Sequence, residues 1–529
     1  MKNRKQKPFT EEWELYEKGK EYNYSINLYE TVNTNERFFR GDQWDNLNSG
    51  GLPTPVFNIF KRIIGYFTSS IMQTPIKMRY LLSNPSGGSG QSAQEAGIAS
   101  EKLNRIADMR WEKNKMNDLL ASALTDAAVS GDAVCYTYWD SDIRTGQAFT
   151  GDFRTVLIDN TNVFFGNPNS KNLQKQPYIL IAQRETVCDL IAQAKRNGVS
   201  EEEIEKIVPD SETAEQSGDM ARLELENTKC ISLIKLWKDE NGRVLYRKSV
   251  KNAVIKDTTE TMLTLYPVAF FNWNSVKNSW HGQAVGTGLV DNQIFINKGF
   301  AMVMKHMMDT AFSKVVYDST LLDGWSDRVG EAIAVNGPVD SVAKVISPGQ
   351  MQSGMLEVLS MAIANTKEFL GATDAALGDV APNNTSAILA LQNASAVPLE
   401  NVKRNLYQFV EDIGLIWLDF MFSYYDDKRL VGIFENGTER FESFSMSQFR
   451  NGLFDCRVDV GASSYWSEIS SLNTLDNLLK LGRISTVQYL ERLPDGLISD
   501  KERLIDEIKA ASAAAKEERR EMNDLEKDQ

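Results

Sequence analysis

Apolar residues recur at helical spacing in the segment 56–67, which directly follows two prolines. This i, i+3, i+4, i+7 pattern predicts an amphipathic helix, and Pro75 ends the segment because the residue before a proline avoids the helical region. Alternating patterns then predict strands, with an Asn-Gly turn at 241–242 and another at 436–437 that each favour a hairpin. The apolar positions of the helix are Val56, Ile59, Phe60, Ile63, Ile64 and Phe67.

The same reading along the whole chain predicts an α+β protein that is rich in helix. It has a largely strand-forming part at 153–275 and a pair of helices in the middle, separated by a mixed segment. Pro398 lies inside the longest helical pattern, where a kink is expected. The predicted helices cover 10–46, 94–130, 185–197, 200–207, 282–312, 352–370, 386–425 and 466–529.

Composition is that of a folded globular protein, with 42% hydrophobic and 25% charged residues among 529. The net charge of −14 argues against a protein that reads nucleic-acid sequence through a basic face. This acidic charge is compatible with a protein that lets DNA slide past without binding it tightly. The four scattered cysteines form no CxxC pair, and no apolar region follows the basic start of the chain. We therefore expect a reduced protein without a secretory signal or membrane span, made in the cytoplasm.

The sequence is poor in the residues that catalysis or metal binding needs. It has only two histidines, His281 and His306, and no GxxxxGK[ST] phosphate loop. His306 lies in a Met-rich helical segment, where a structural or pore-facing role is expected. We predict no catalytic residues, no cofactor and no metal site, and hence no enzyme.

Four stretches resemble the portal proteins of tailed bacteriophages. The first is RFFRGDQW at 37–44, followed by PVFN at 55–58 and QTP at 73–75; Phe39 stands where the family has tyrosine. The second is DAAVSG at 126–131, which precedes a strand. The third is the central helix pair, and the fourth is GATDAALG at 371–378 followed by TSAI at 385–388. The segments 479–485 and 490–494 are similar to the portal crown, so the resemblance extends over nearly the whole chain.

The resemblance implies a portal fold with a wing of helices and strands, a two-helix stem, a small α/β clip, a channel loop, a long kinked helix and a helical crown. The implied parts are wing 1–282, first stem helix 283–312, clip 313–350, second stem helix 351–372, channel loop 373–385, kinked helix with returning strands 386–461, and crown 462–529.

The resemblance also implies function and partners. The chain would form a ring of about twelve subunits at one capsid vertex of the virion, through which double-stranded DNA passes without sequence recognition. Such a ring serves genome packaging, retention and ejection. The implied partners are the terminase large subunit, which supplies the ATPase, the head–tail adaptor, and the major capsid and scaffolding proteins. No membrane is involved.

Some residues are candidates for this role. Lys298 and Lys305 are seven positions apart and share a helix face, so a ring would carry two belts of positive charge that touch phosphates. Pairing of these lysines with nearby carboxylates is the alternative. The loop before Thr385 is either a gate or a passive connector, and both interpretations remain. Tyr317 and Trp325 are candidates for a partner surface on the clip. The loop candidates are Asp379, Val380, Ala381, Pro382, Asn383 and Asn384.

Two other functions compete with the portal. Another ring-forming virion protein or adaptor explains the missing chemistry equally well. A cytoplasmic hydrolase using carboxylates distant in sequence is the third reading, although no residue spacing favours it.

Overall fold

The computed structural model describes most of the chain from Phe9 onward. Nothing is stated below about the structure of other residues. The described residues are 9–45, 47–73, 76–82, 93–145, 150–210, 229–311, 314–324, 326, 328, 332–346, 354–369, 397–425, 430–435, 438–443, 454–459, 475–493, 504–505 and 508.

Helices and strands are mixed, which confirms the α+β prediction. The helices are α1 Glu11–Ser25, α2 Leu28–Arg40, α3 Ile59–Met72, α4 Ala93–Lys113, α5 Met116–Ser130, α6 Val187–Arg196, α7 Glu201–Ile204, α8 Val290–Ala311, α9 Val339–Val342, α10 Gly354–Phe369, α11 Glu400–Tyr424 and α12 Thr486–Arg492. The strands are β1 Lys77–Leu82, β2 Asp132–Arg144, β3 Thr150–Ile158, β4 Val163–Phe165, β5 Ile179–Thr186, β6 Lys229–Lys238, β7 Val244–Val250, β8 Val254–Glu260, β9 Val268–Asn272, β10 Lys314–Tyr317, β11 Ala343–Ile346, β12 Leu430–Glu435, β13 Thr438–Ser443 and β14 Phe454–Asp459.

Two antiparallel sheets organise the larger part of the molecule. One has the strand order β3-β2-β9, and the other runs β4-β5-β6-β7-β8. The Asn-Gly turn at 241–242 joins β6 to β7 as predicted, with Gly242 at φ 80°. We call these two sheets and the helices packed against them the body.

Helix α11 fills the centre of the body. Its Trp417 side chain is fully buried and donates a hydrogen bond to Thr155 Oγ1 at 2.8 Å. Gly414 allows Cys456 of β14 to approach the helix backbone, and the Tyr80 hydroxyl donates to the Gly414 carbonyl at 2.9 Å. Strands β1 and β14, nearly 400 residues apart, pair antiparallel on this side. The core thus joins segments from the first and the last fifth of the chain.

Several predicted helices differ from those found. The pattern over 10–46 divides at Asn27 (φ 55°), and the pattern over 94–130 divides at Lys115 (φ 50°), because a left-handed residue ends one helix and redirects the next. The first central helix begins at Val290, later than predicted, after a 3-10 turn at Gly286–Leu289. Pro398 lies in a 3-10 turn immediately before α11, and residues 386–396 lie outside the described part.

The DAAVSG segment makes a sharp helix-to-strand turn. Helix α5 ends at Ser130, Gly131 adopts φ 98°, and β2 starts at Asp132. A Cβ atom on Gly131 would lie 2.8 Å from the Gly282 carbonyl oxygen, so only glycine fits both the backbone conformation and the space. This contact places the segment that precedes α8 against the end of α5.

Three carboxyl groups meet where α2, α5 and the end of β3 converge. Asp126 has its pKa raised to about 7, first by burial and then by the negative charges of Asp159 and Glu36. The pKa of Glu36 is raised as well, mainly by burial, although Arg40 opposes the shift. Folding therefore favours a protonated Asp126.

We expect Asp126→Asn to stabilise the protein at pH 8 by roughly 2 kcal/mol and to have little effect near pH 4. The folded chain binds a proton at Asp126 that the unfolded chain releases between pH 3.8 and about 7, so stability is lost as pH rises through that window. The free energy of unfolding, measured by denaturant titration at both pH values, tests this. Asp118→Asn on the exposed start of α5 is the matched control; equal effects of the two substitutions would contradict the prediction.

Candidate functional site

Helices α8 and α10 form an antiparallel pair that we call, together with the described residues between them (β10, α9, β11 and their connections), the central hairpin. The two short strands pair from Lys314↔Ile346 to Tyr317↔Ala343, which brings the end of α8 close to the start of α10. Gly299 of α8 lies directly against the Leu359 side chain, and no Cβ would fit between them. The small residue therefore sets how closely the helices approach.

The central hairpin exposes an unusual amount of apolar surface. Thirteen of the 26 exposed large apolar side chains among the described residues lie between 290 and 369. Met361 is 62% exposed and Val339 is 76% exposed. Large exposed apolar surfaces are typical of interaction sites. The side chains are Phe295, Met302, Met304, Met307, Met308, Val316, Tyr317, Ile333, Val339, Ile346, Leu356, Val358 and Met361.

One face of α8 forms a stripe of alternating charged and apolar side chains. Its members follow one another at intervals of four and three residues, so they share a face of the helix. This exposed stripe consists of Asp291, Phe295, Lys298, Met302, Lys305 and Asp309.

Both predicted lysines lie on the exposed stripe, but their surroundings differ. Lys305 Nζ lies 2.9 Å from Asp309 Oδ1, an i, i+4 ion pair that is solvent-exposed. Lys298 is exposed and has no carboxylate within ion-pair distance among the described residues. Lys298 therefore contributes more uncompensated positive charge than Lys305.

A set of four side-chain amides, three of them buried, fastens α8 to the body. We call Gln43, Asn58, Gln293 and Asn297 the amide network. Gln293 Oε1 accepts hydrogen bonds from the backbone N–H groups of Ile59 at 3.1 Å and Phe60 at 3.2 Å. These are the first N–H groups of α3, which have no partner inside that helix. A side chain of α8 thus caps the start of α3.

The other members of the amide network continue this connection. Gln293 Nε2 donates to the Phe57 carbonyl at 2.8 Å and to Asn297 Oδ1 at 2.9 Å. Asn297 Nδ2 donates to Gln43 Oε1 at 2.7 Å, and Gln43 Nε2 donates to the Phe38 carbonyl at 3.0 Å. The segment after α2 and the first half of α8 are therefore joined by buried hydrogen bonds.

Asn58 completes the start of α3. Its side-chain oxygen accepts from the N–H of Lys61 at 2.9 Å, as an N-cap residue does. Its amide nitrogen donates to the carbonyl groups of Phe38 and Phe39 at the end of α2. The RFFRGDQW and PVFN segments thus meet each other and α8, which sequence reasoning did not foresee. Asn58 before an apolar helical pattern was the one available signal.

The remaining candidate residues are only partly described. Tyr317 lies on β10 opposite Ala343 and is 38% exposed. Trp325 and the loop candidates 379–384 lie outside the described residues. Their roles stay predictions.

The two histidines have structural surroundings. His281 Nδ1 lies 2.7 Å from Asp132 Oδ2 in the buried contact between β2 and the loop after β9. His306 is half-buried on α8. Across the described ranges, no group of three His, Cys, Asp or Glu side chains could hold a metal ion. In the same part of the chain, no helix has both the length and the apolar character needed to cross a bilayer.

Comparison with protein-family models finds a match to the phage P22-like portal protein family over residues 20–482 of this chain. This range includes nearly all of the body, the amide network and the central hairpin. No curated protein matches the chain.

We expect Gln293→Met to lower the free energy of unfolding by roughly 2–4 kcal/mol. Methionine keeps the volume of the side chain but leaves the buried N–H group of Phe60 without an acceptor, and the N–H group of Ile59 keeps only the Phe57 carbonyl. Urea unfolding followed by circular dichroism measures the change. The control is Asn292→Ala on the exposed side of the same helical turn, and a loss no larger than in this control would show that the amide network does not stabilise the fold.

Proposed function

Because the chain belongs to the phage P22-like portal protein family, whose members are structural proteins of the virion, we propose that it assembles into a ring-shaped DNA channel at one vertex of the capsid. In this proposal about twelve copies surround the axis, as the family resemblance implies. The ring admits the genome during packaging, retains it and releases it at ejection.

The exposed apolar surface of the central hairpin is the observation that carries the proposal. Single subunits of a soluble protein rarely leave Met, Val and Phe side chains clustered in water. In a closed ring each hairpin has a neighbour on two sides, so two different faces of one hairpin are covered by heterologous contacts. The two-sided exposure of α8 and α10 fits this arrangement.

Passage of DNA requires that the channel holds phosphates only weakly. The net charge of −14 repels the DNA backbone in general and limits non-specific binding. We propose that Lys298 and Lys305 face the channel and touch phosphates, while the loop 379–384 narrows it and acts as a gate. The free ammonium group of Lys298 gives it the larger part in this contact.

The clip would present Tyr317 and Trp325 to the packaging machinery. In this proposal the terminase large subunit binds there during packaging, and the head–tail adaptor replaces it afterwards. The exposed Tyr317 side chain supports such a surface. The major capsid and scaffolding proteins would contact the body.

Negative-stain electron microscopy with native mass measurement tests the ring. We expect top views with a central hole for the unchanged chain. Met361→Glu should prevent or strongly reduce ring formation, because it places a charge in the apolar contact between hairpins. The matched control is Val208→Glu, which changes an equally exposed residue of the body, 53% accessible, and should leave rings intact. Rings formed equally well by both variants would exclude the hairpin as the interface.

Reversal of the lysine charges tests the channel contact. We expect Lys298→Glu to reduce the DNA packaged or retained per particle more than Lys305→Glu, because Asp309 already compensates Lys305. Particles are produced by complementation, and their DNA content is measured. Lys277→Glu, in an exposed loop of the body, is the control. If both stem variants package and retain DNA normally while assembled into rings, the lysines do not act in the channel.

A further inference from the structure

A cavity of about 580 Å³ lies in the body between the two larger sheets. Tyr136 and Tyr138 of β2 form part of one wall; they are two residues apart, so both point to the same side of the sheet. Tyr246 and Lys248 of β7 lie on the opposite wall. At one end, the Tyr424 hydroxyl donates to the Thr261 carbonyl at 2.6 Å. We call this space the tyrosine cavity.

Three phenol groups in the tyrosine cavity are unpartnered. The hydroxyls of Tyr136, Tyr138 and Tyr246 form no hydrogen bond with the described residues, although Tyr136 is only 6% exposed. The three side chains line the same cavity, and the ring centroids of Tyr136 and Tyr138 are 5.7 Å apart. The tyrosine cavity therefore offers several free hydrogen-bond donors.

The charges around the tyrosine cavity are largely compensated. Lys248 Nζ lies 2.6 Å from Glu185 Oε1 and donates to Gln193 Oε1 at 2.8 Å. Glu260 is paired with Arg243. Lys256 has no carboxylate partner in the described part of the chain, but its ammonium group lies over the Tyr246 ring, 5.4 Å from the centroid. A ligand with little net charge fits these walls best.

The aromatic rings are arranged in stacked pairs. Tyr136 and Tyr138 have centroids 5.7 Å apart at an interplanar angle of 24°, and Trp139 stacks on Tyr424 at 4.8 Å and 20°. Grooves lined by such rings bind the polyproline II helix, with pyrrolidine rings against the aromatic faces and hydroxyl donors on the peptide carbonyls. Proline has no N–H group, so a proline-rich segment presents acceptors and needs donors.

We propose that the tyrosine cavity binds a proline-rich extended segment of a partner protein. Uncharged carbonyl acceptors of the segment meet the free hydroxyls of Tyr136, Tyr138 and Tyr246, and its pyrrolidine rings meet the aromatic walls. This binding site lies in the body, and it does not depend on the ring, the central hairpin or the passage of DNA.

Isothermal titration calorimetry of the full chain with a decaproline peptide tests the proposal. We expect saturable binding that is weakened about tenfold in the double variant Tyr136→Phe, Tyr138→Phe, because two hydroxyl donors are lost while the rings remain. The matched control is Tyr407→Phe, which removes a half-buried hydroxyl of α11 outside the tyrosine cavity and should leave the affinity unchanged. Circular dichroism verifies that each variant is folded.

Four results would overturn the proposal. The first is no saturable binding of decaproline up to about 1 mM peptide. The second is an equal affinity in the folded double variant, which would place the binding elsewhere. The third is tighter binding of a glutamate-rich decapeptide than of decaproline, which would identify an anion site built on Lys256. A glycine-serine decapeptide should not bind, and binding equal to that of decaproline would also contradict the proposed specificity.

Discussion

The attachment of α8 to the body is the interaction on which the central hairpin depends. Gln293 supplies the hydrogen-bond acceptor that the first turn of α3 lacks, and Asn297 links it to Gln43. A buried N–H without a partner costs about 1–3 kcal/mol. Loss of one amide of the network would therefore leave the groups bonded to it with fewer partners. Because three of these side chains are almost fully buried, they fix the direction in which α8 leaves the body. The hairpin beyond this point is then free to present its apolar surface to neighbours.

The body buries most of its large apolar residues, whereas the central hairpin leaves many of them exposed. In the body, Trp417 and the residues around it form a dense core that closes on itself. In the central hairpin, Gly299 and Leu359 bring the helices together, yet Met302 and Met361 remain in water. The hydrophobic free energy of these side chains is available only on association. A single subunit is thus a folded body that carries an exposed apolar surface, and in the proposed ring another copy of the chain covers this surface.

Some features of the candidate site could be predicted from sequence and others could not. The spacing of Lys298 and Lys305 places both on one helix face, and both lie on the exposed stripe of α8. The ion pair to Asp309 has an ordinary i, i+4 spacing, but which of several carboxylates a lysine selects depends on rotamers and exposure. The phenol groups of the tyrosine cavity come from strands more than 100 residues apart, and no periodicity relates them. The loop 379–384 and Trp325 lie outside the described residues and remain predictions.

The sequence by itself determined the α+β class, the hairpin at 241–242, the central pair of helices and the resemblance to portal proteins. These features follow from local periodicity, turn residues and the order of elements, which neighbouring residues decide. Only the tertiary structure decided that Asn27 and Lys115 divide the predicted helices, that β1 pairs with β14, and that Gln43, Asn58, Gln293 and Asn297 meet. Such contacts join residues up to almost 400 positions apart. Each buried polar group needs a hydrogen-bond partner to offset the cost of its desolvation, and a polar side chain in a sequence does not reveal which partner will satisfy it.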